Sequence, residues 1–288
     1  MIAHQPIAQN QTPPEAQALL EDIQNTLGIP WQPANWRTYA RYPDLLRLFW
    51  ERVKPATATE PFLEDALAIT ERAYQDAMQW YWPSYQVDTT EAERERIAWE
   101  IDAFEFGNPQ LLILQVALSR ALQGQTVGQP GSNPPRRAPS PYRQPQIEMV
   151  DAEHAPPDVR QLYESIKQTL GLPLVNSDYQ ALAKWPEFLR GAWEDIKPWR
   201  DREEYQRLIA ELTQMAEERA DRLRPEIGFD EGEIRAALAG QADLEEIRQQ
   251  VDTFTRLLPG LIVNDALFRI SAGGGQQITP PLAASLLI

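Results

Sequence analysis

The sequence predicts an all-α protein made of two homologous helical repeats that pack about a pseudo-twofold axis. Apolar residues recur at helical spacing, and no segment alternates with period two for long enough to form a convincing strand. Residues 13–55 and 156–198 align without a gap and are identical at 17 of 43 positions. Residues 124–147 between them carry six prolines and few apolar side chains. This composition indicates a semi-extended linker rather than a packed element.

The two copies keep an offset of 143 residues at first, and the motif Thr-Leu-Gly at 26–28 returns at 169–171. Further on the offset is 150, because Leu111 corresponds to Leu261. The second copy therefore contains a net insertion of seven residues. A solenoid has a much shorter period, of roughly 20–50 residues. Two half-domains packed as an intrachain version of an isologous dimer are the simpler arrangement.

We divide the chain accordingly into a first repeat over 1–123, a proline-rich linker over 124–154 and a second repeat over 155–288. The last part of the second repeat, from Gly273, is glycine-rich and ends in an apolar stretch. We expect this tail to be loose or docked in a groove. It could also serve as a contact in a homodimer, which the sequence leaves open.

Each helix of the first repeat has its own signals. Leu20, Ile23 and Leu27 share one helix face, which begins after two prolines and ends at Gly28. Thr90 followed by Glu93 predicts a capping box. Further helices are predicted over 35–50, 61–81, 90–106 and 108–122. The last would begin with an asparagine cap and a proline in its first turn. The whole chain then has about ten helices.

Composition excludes several function classes. The net charge of −15 argues against binding of nucleic acid or an anionic membrane surface. Without cysteine the chain has no thiolate nucleophile or disulfide, and its two histidines are too few for a convincing metal site or Ser-His-Asp triad. We therefore expect neither a metal nor a cofactor. The N-terminus lacks the apolar core of a signal peptide, which fits a cytoplasmic protein.

Differences between the two copies single out two polar residues. Asp178 corresponds to Asn35, and Asn108 corresponds to Leu258. Each could simply cap a helix, and Asn35 would cap as well as Asp178 does. If the halves pack about a pseudo-twofold axis, however, Asn108 and Asp178 come from opposite halves. One interface site then has a titratable group, and its mirror site has none.

The motifs TLGIP and TLGLP, VNSDYQALAKWP, FGNPQLLILQVAL and LPGLIVNDALFRI resemble the group I 2-haloacid dehalogenases, the DehI family. The resemblance covers about 12–123 and 155–272. It implies an all-helical pseudo-dimer that hydrolyses 2-halocarboxylic acids, sometimes both enantiomers, with only the halocarboxylate and water as reaction partners. The alternatives are a hydrolase of another small 2-substituted carboxylate and a non-catalytic helical protein that binds a small acid.

Residue by residue, the resemblance makes Asp178 the general base and Asn108 the asparagine that helps hold the attacking water. Ser177 would bind the substrate carboxylate, and Trp36 would fall on the pocket tryptophan. Tyr179 belongs to a group of aromatic residues near these positions, which form either interhelical core or a dry pocket wall. The water would attack C2 in line with the carbon–halogen bond, and no covalent ester would form.

Two points stay open at the level of sequence. Some family members carry a threonine followed four residues later by a functionally important glutamate, whereas here Thr59 is followed by Leu63. The substrate could therefore differ. In addition, a helix N-terminus lowers the pKa of Asp178, whereas burial among aromatic residues raises it, and the two effects oppose each other.

Overall fold

The first repeat folds into five helices, two of which replace one predicted helix and one of which joins two predicted helices. The computed structural model describes residues 12–85, 89–131, 136–137, 139–172 and 174–273. The first five helices are α1 (Pro14–Leu27), α2 (Ala34–Tyr39), α3 (Pro43–Thr57), α4 (Glu60–Trp80) and α5 (Glu91–Leu122). The predicted capping box is confirmed, because Thr90 and Glu93 bond reciprocally at the start of α5.

The second repeat presents the same order of elements. Its helices are α6 (Pro157–Leu170), α7 (Ser177–Leu182), α8 (Pro186–Ile196), α9 (Glu203–Ala220), α10 (Glu231–Leu238) and α11 (Leu244–Ala272), with a 3₁₀ turn at Lys197–Trp199. The first helix of each copy ends at a glycine in the left-handed region, where φ is 68° at Gly28 and 66° at Gly171. Only α10 lacks a counterpart among the described helices, and it lies where the offset changes. The predicted all-α class is confirmed.

The helix predicted over 35–50 is wrong, because two helices replace it. α2 ends at Tyr39, and α3 begins at Pro43. A residue before proline is pushed out of the helical region, and Tyr42 accordingly has φ −123° and ψ 81°. The short α2 can therefore tilt independently of α3, which matters because α2 and its counterpart α7 carry Asn35 and Asp178.

The break predicted at residue 108 is also wrong, because α5 continues through Pro109. A proline inside a helix has no N–H for the carbonyl four residues earlier. Here that carbonyl belongs to Glu105, and the Thr70 hydroxyl of α4 donates to it at 2.7 Å. The tertiary bond replaces the lost helical one, and Asn108 lies within the helix instead of at its start. Pro259 occupies the equivalent position in α11.

The long helices α5 and α11 pack antiparallel at the centre of the molecule. Asp102 of α5 accepts from Arg269 of α11 at 2.5 Å, and Ser119 of α5 donates to Asp252 of α11 at 2.6 Å. Asp102 and Asp252 are equivalent in the two repeats, as are Ser119 and Arg269. The two contacts are thus exchanged by the repeat, which is the pattern that isologous packing of two copies produces.

The proline-rich segment is packed at several points, contrary to the expectation of an unpacked linker. Val127 and Ile227 exchange backbone hydrogen bonds of 2.9 and 2.7 Å, which ties the segment to the second repeat. The N–H of Ile147 donates to the carbonyl of Pro30 at 2.9 Å, which ties it to the first. The segment therefore also straps the two repeats together. The domain boundaries themselves stay a prediction.

The predicted loose tail falls almost wholly, from residue 274, outside the described residues. Within the described ranges, no helix combines the length and the apolar character that a bilayer crossing requires.

Candidate active site

Asn108 joins two carboxyl groups at the buried interface between the repeats. Its amide nitrogen Nδ2 lies 2.8 Å from Oδ1 of Asp178 and 2.8 Å from Oδ2 of Asp265. Asn108 is 3% exposed, and each aspartate is 2% exposed. The three side chains come from α5, α7 and α11. The structure thus brings together the two residues that the sequence comparison singled out and adds a third.

The interpretation of Asn108 and Asp178 as helix caps is wrong. Asn108 lies near the middle of α5, and Asp178 is the second residue of α7, whose cap position is held by Asn176. The Asp178 side chain bonds to Asn108 instead. Asn35 is not a side-chain cap either, because α2 begins after Pro33. Its buried amide has no hydrogen-bond partner among the described residues.

Tyr179 fixes α7 beside α11. The amide nitrogen of Asn264 donates to the Tyr179 hydroxyl at 2.8 Å, and the Tyr205 hydroxyl donates to the Asn264 amide oxygen at 2.8 Å. The Tyr179 ring packs edge-on against Trp193 and Phe268. Tyr179 therefore directs its hydroxyl into a polar network beneath the site and holds Asp178 in place through the backbone of α7.

Trp31 covers α5 beside Asn108. A Cβ atom at Gly107 would lie 2.3 Å from the Trp31 ring, so only glycine permits this approach. The ring also packs on Phe104, with centroids 4.3 Å apart. Trp31 thus supplies an apolar wall and shields this stretch of α5 from solvent.

The other two predicted site residues have different placements. Ser177 is buried at the first position of α7, adjacent to Asp178. Trp36 occupies the equivalent position to Tyr179 in the first repeat, where it packs edge-on against Tyr39 and Trp50. The contacts described for Trp36 do not join it to Asp178. Its indole N–H has no partner among the described residues, and its assignment to the pocket stays a prediction.

The opposing effects on the pKa of Asp178 are resolved in favour of burial. Burial raises this pKa from its ordinary value of 3.8 to about 6, although the bonds from Asn108 and from the backbone N–H of Asp178 lower it. Burial and the neighbouring charge of Asp178 raise the pKa of Asp265 well above its usual range. Two adjacent buried carboxylates repel each other, so the pair of Asp178 and Asp265 resists carrying two negative charges at once.

Asp265 was missed at the level of sequence, although the signal was available. With the offset of 150, Asp265 corresponds to Gln115. This is again a carboxyl in one copy and an amide in the other, as for Asp178 and Asn35. The Gln115 amide oxygen accepts from the Tyr39 hydroxyl at 2.7 Å. Every carboxyl of the site thus has an uncharged counterpart in the other repeat.

Thr59 and Leu63, which occupy the positions of the family's threonine and glutamate, make no described contact with Asn108, Asp178 or Asp265. The Thr59 hydroxyl donates to the carbonyl of Ala56 at 2.7 Å, and Leu63 is buried in the core. Thr59 lines a cavity of about 300 Å³ together with Phe62, Asp65 and Arg222. In the described ranges, no group of three or more acidic or histidine side chains is arranged to hold a metal ion.

Comparison with known proteins identifies the family. A sequence model described as "Halocarboxylic acid dehydrogenase DehI" matches residues 30–179 and 173–286, which together span most of the chain. The chain belongs to the DehI family. The family predicted from the sequence motifs is therefore confirmed.

Curated relatives and solved structures agree with this assignment. An (R)-2-haloacid dehalogenase from Pseudomonas putida is 29% identical over 277 residues, which cover 93% of this chain and 92% of the relative. A configuration-inverting 2-haloacid dehalogenase from Alcaligenes xylosoxydans xylosoxydans is 28% identical and covers 78% of this chain and 79% of its own length. The predicted enzyme class, that of 2-haloacid dehalogenases, is confirmed.

The fold of the DehI chain matches a D-2-haloacid dehalogenase mutant solved in complex with D-2-CPA. The TM-score is 0.87 at 28% identity, over 93% of this chain and 95% of the other. A D-2-haloacid dehalogenase solved in complex with L-LA gives a TM-score of 0.86 at 29% identity, with the same coverage.

Proposed function

We propose that this DehI-family chain hydrolyses 2-halocarboxylic acids to 2-hydroxy acids, with inversion at C2. The observation that carries the proposal is the buried contact between Asn108 and Asp178, in a chain whose relatives are configuration-inverting dehalogenases. A non-catalytic binding protein would be favoured if these side chains lay apart or faced solvent. They are 2.8 Å apart and buried, which supports the enzyme.

Asp178 is the general base of the proposed reaction. Its Oδ1 is occupied by Asn108, so Oδ2 is the oxygen that takes a proton from the attacking water. The Asn108 nitrogen is committed to two carboxyl groups, and its amide oxygen is the atom that orients the same water. A pKa of about 6 leaves Asp178 ionised at neutral pH yet more basic than an exposed aspartate.

The water oxygen attacks C2 from the side opposite the halogen, and the carbon–halogen electron pair leaves with the halide. Alignment of water, C2 and halogen supplies a large part of such a rate enhancement. The substrate carboxylate lies against Ser177 at the start of α7, next to the base. Asp265 holds the Asn108 amide from the opposite side and takes no part in the attack on C2.

Isotope labelling in a single turnover tests this route. Excess enzyme is mixed with (R)- or (S)-2-chloropropionate in ¹⁸O-labelled water, and chloride, lactate configuration and label are measured. Direct attack places ¹⁸O in inverted lactate during the first turnover and leaves the protein unlabelled. Unlabelled first-turnover lactate would mean that a carboxylate of the protein forms an ester and would remove the general-base role of Asp178.

One sequence feature favours a second candidate, a hydrolase of another small 2-substituted carboxylate. Leu63 stands where some family members carry a functionally important glutamate, and it is buried in the core here. A panel of 2-halo acids of increasing chain length separates the two candidates. Turnover of any of them supports the dehalogenase, whereas no halide from all of them would favour the second.

A further inference from the structure

A further buried acid, Glu105, lies one helical turn before Asn108 in α5. Glu105 is 2% exposed, and neither of its carboxyl oxygens has a hydrogen-bond partner among the described residues. A buried carboxyl without partners is costly, and natural proteins rarely keep one without a use. The proposed attack of water on C2 does not employ it.

The surroundings of Glu105 extend from the site to the rim of the interface. The pKa of Glu105 is raised well above its usual range by burial and by Asp102, whereas Arg269 lowers it. The Tyr74 hydroxyl of α4 is buried without a partner, and its pKa is raised by burial and by Glu105. Burial and the same two acids, Asp102 and Glu105, raise the pKa of Tyr142, which belongs to the proline-rich segment.

On α5, Glu105 is three residues from both Asp102 and Asn108, so the three side chains share one face of the helix. The outer two bond to Arg269 and Asp265 of α11, which places Glu105 between these two contacts. Glu105 accordingly raises the pKa of Asp265.

Asp178 and Asp265 are closer still. Oδ1 of Asp178 and Oδ2 of Asp265 each lie 2.8 Å from one nitrogen, which limits the separation of these two oxygens to twice 2.8 Å. The oxygen that takes the proton, Oδ2 of Asp178, belongs to the same carboxyl group as Oδ1. A single water molecule can bridge such a gap. At the outer end, Asp102 and Arg269 bond to each other with side chains that are 12% and 13% exposed.

Three of these groups are confined to one side of the repeat, whereas Asp102 is matched by Asp252. The counterpart of Glu105 is Thr255, that of Asp265 is Gln115 and that of Arg269 is Ser119. Because the other half folds without them, the shared fold does not require this row of groups. Their placement next to the single general base calls for a functional explanation.

The proposed reaction supplies one, because it produces one proton in each turnover. Asp178 is 2% exposed and cannot pass that proton directly to bulk water. We propose that Asp265 and Glu105 form a proton relay from Asp178 to the Asp102–Arg269 pair at the rim of the α5–α11 interface. This proposal rests on the proposed dehalogenase function.

The relay balances protons without any further reactant. After attack, Asp178 carries the proton from water, and the halide has left with the bonding electrons. In the relay, Asp265 and Glu105 are both protonated before the turnover. Asp265 receives the proton on its carbonyl oxygen and gives up its hydroxyl proton to Glu105. Glu105 does the same toward the rim, and bulk water receives one proton. Asp178 is again a carboxylate. Glu105 acts through Asp265 and does not touch the substrate.

The test compares halide release with proton release in Glu105→Gln. Enzyme and 2-chloropropionate are mixed in weakly buffered solution with a pH indicator, and halide is followed by rapid quench. In the unmodified chain, protons and halide appear together. In the variant we expect first-turnover halide within about twofold, a proton signal that lags behind it, and a steady-state kcat reduced about tenfold or more.

Two further variants make the result specific. Glu100→Gln removes another buried glutamate of α5, one that is bonded to Lys184, and should cause no lag. Glu105→Asp keeps an acid and should shorten the lag, which a purely structural role would not predict. The relay is overturned if protons and halide stay synchronous in Glu105→Gln, or if first-turnover halide falls as much as kcat. No halide from the unmodified chain would instead overturn the proposed dehalogenase function.

Discussion

Replacement of the general base by its isosteric amide, Asp178→Asn, should make the protein more stable while it abolishes turnover. The carboxylate is buried, and its pKa is raised from 3.8 to about 6. A pKa difference of about 2 corresponds to about 3 kcal/mol at about 1.4 kcal/mol for each pKa unit. The neutral amide avoids this penalty, and its oxygen can still accept from Asn108.

The stability gained in Asp178→Asn should increase with pH. The folded-state pKa lies above the unfolded one, so between them the unfolded chain binds fewer protons. The stability of the unmodified protein relative to the variant therefore falls as the pH rises from about 4 to about 6, and it is constant above about 7. Urea denaturation of both proteins at pH 4 and pH 8 measures this. The difference in unfolding free energy should be below about 1 kcal/mol at pH 4 and about 3 kcal/mol at pH 8.

Asn35→Asp is the matched variant on the other side of the repeat. Asn35 is 3% exposed, and its buried amide lacks a partner among the described residues. The position of Asn108 is held there by Leu258, so no amide would stabilise the new carboxylate. Asn35→Asp should lose at least about 3 kcal/mol at pH 8 and much less at pH 4. The reasoning is refuted if Asp178→Asn is no more stable than the unmodified protein at pH 8, or if its gain does not change with pH.

Three other substitutions or conditions test separate parts of the structure. The rate constant kcat/KM should fall tenfold per pH unit below about pH 6, because protonated Asp178 cannot act as a base. A kcat/KM that stays constant down to pH 5 would exclude Asp178 as the general base. Asn108→Leu, which copies the other repeat, should abolish halide release while circular dichroism still shows a folded helical protein. Thr70→Val should cost about 1–3 kcal/mol, because it leaves a buried carbonyl unpaired; this loss should shrink in a Pro109→Ala background, where a backbone N–H satisfies that carbonyl.

Local signals in the sequence were sufficient to predict where most helices begin and end, but they did not predict the outcome at two prolines. Gly28 and the Thr90–Glu93 pair act within a few residues, and both end or begin helices as predicted. Pro43 and Pro109 have the same covalent restriction but opposite outcomes. The chain breaks before Pro43, whereas at Pro109 the hydroxyl of Thr70 replaces the missing donor. That hydroxyl comes from another helix, so only tertiary structure distinguishes the two cases.

The site shows the same division between local and tertiary information. Comparison of the two copies identified Asn108 and Asp178, because a difference between equivalent positions needs no coordinates. The same comparison also distinguishes Asp265 from Gln115, but the contact of Asp265 with Asn108 depends on the antiparallel register of α5 and α11. The direction of the Asp178 pKa shift was undecidable for the same reason, since burial and helix start oppose each other and the degree of burial is a property of the packed molecule.

The residues equivalent to Asp178 and Asp265 in the first repeat indicate how the fold accommodates a buried acidic site in only one half. Asp178 is matched by the isosteric Asn35, and Asp265 is matched by Gln115, an uncharged amide that is one methylene longer. A symmetric pair of acidic sites would place four buried carboxyls along one interface and would repeat a charge penalty of about 3 kcal/mol. Such a penalty is a large fraction of the net stability of a typical domain. The amide-for-acid differences keep the interhelical packing in both halves and confine the cost of the general base to one.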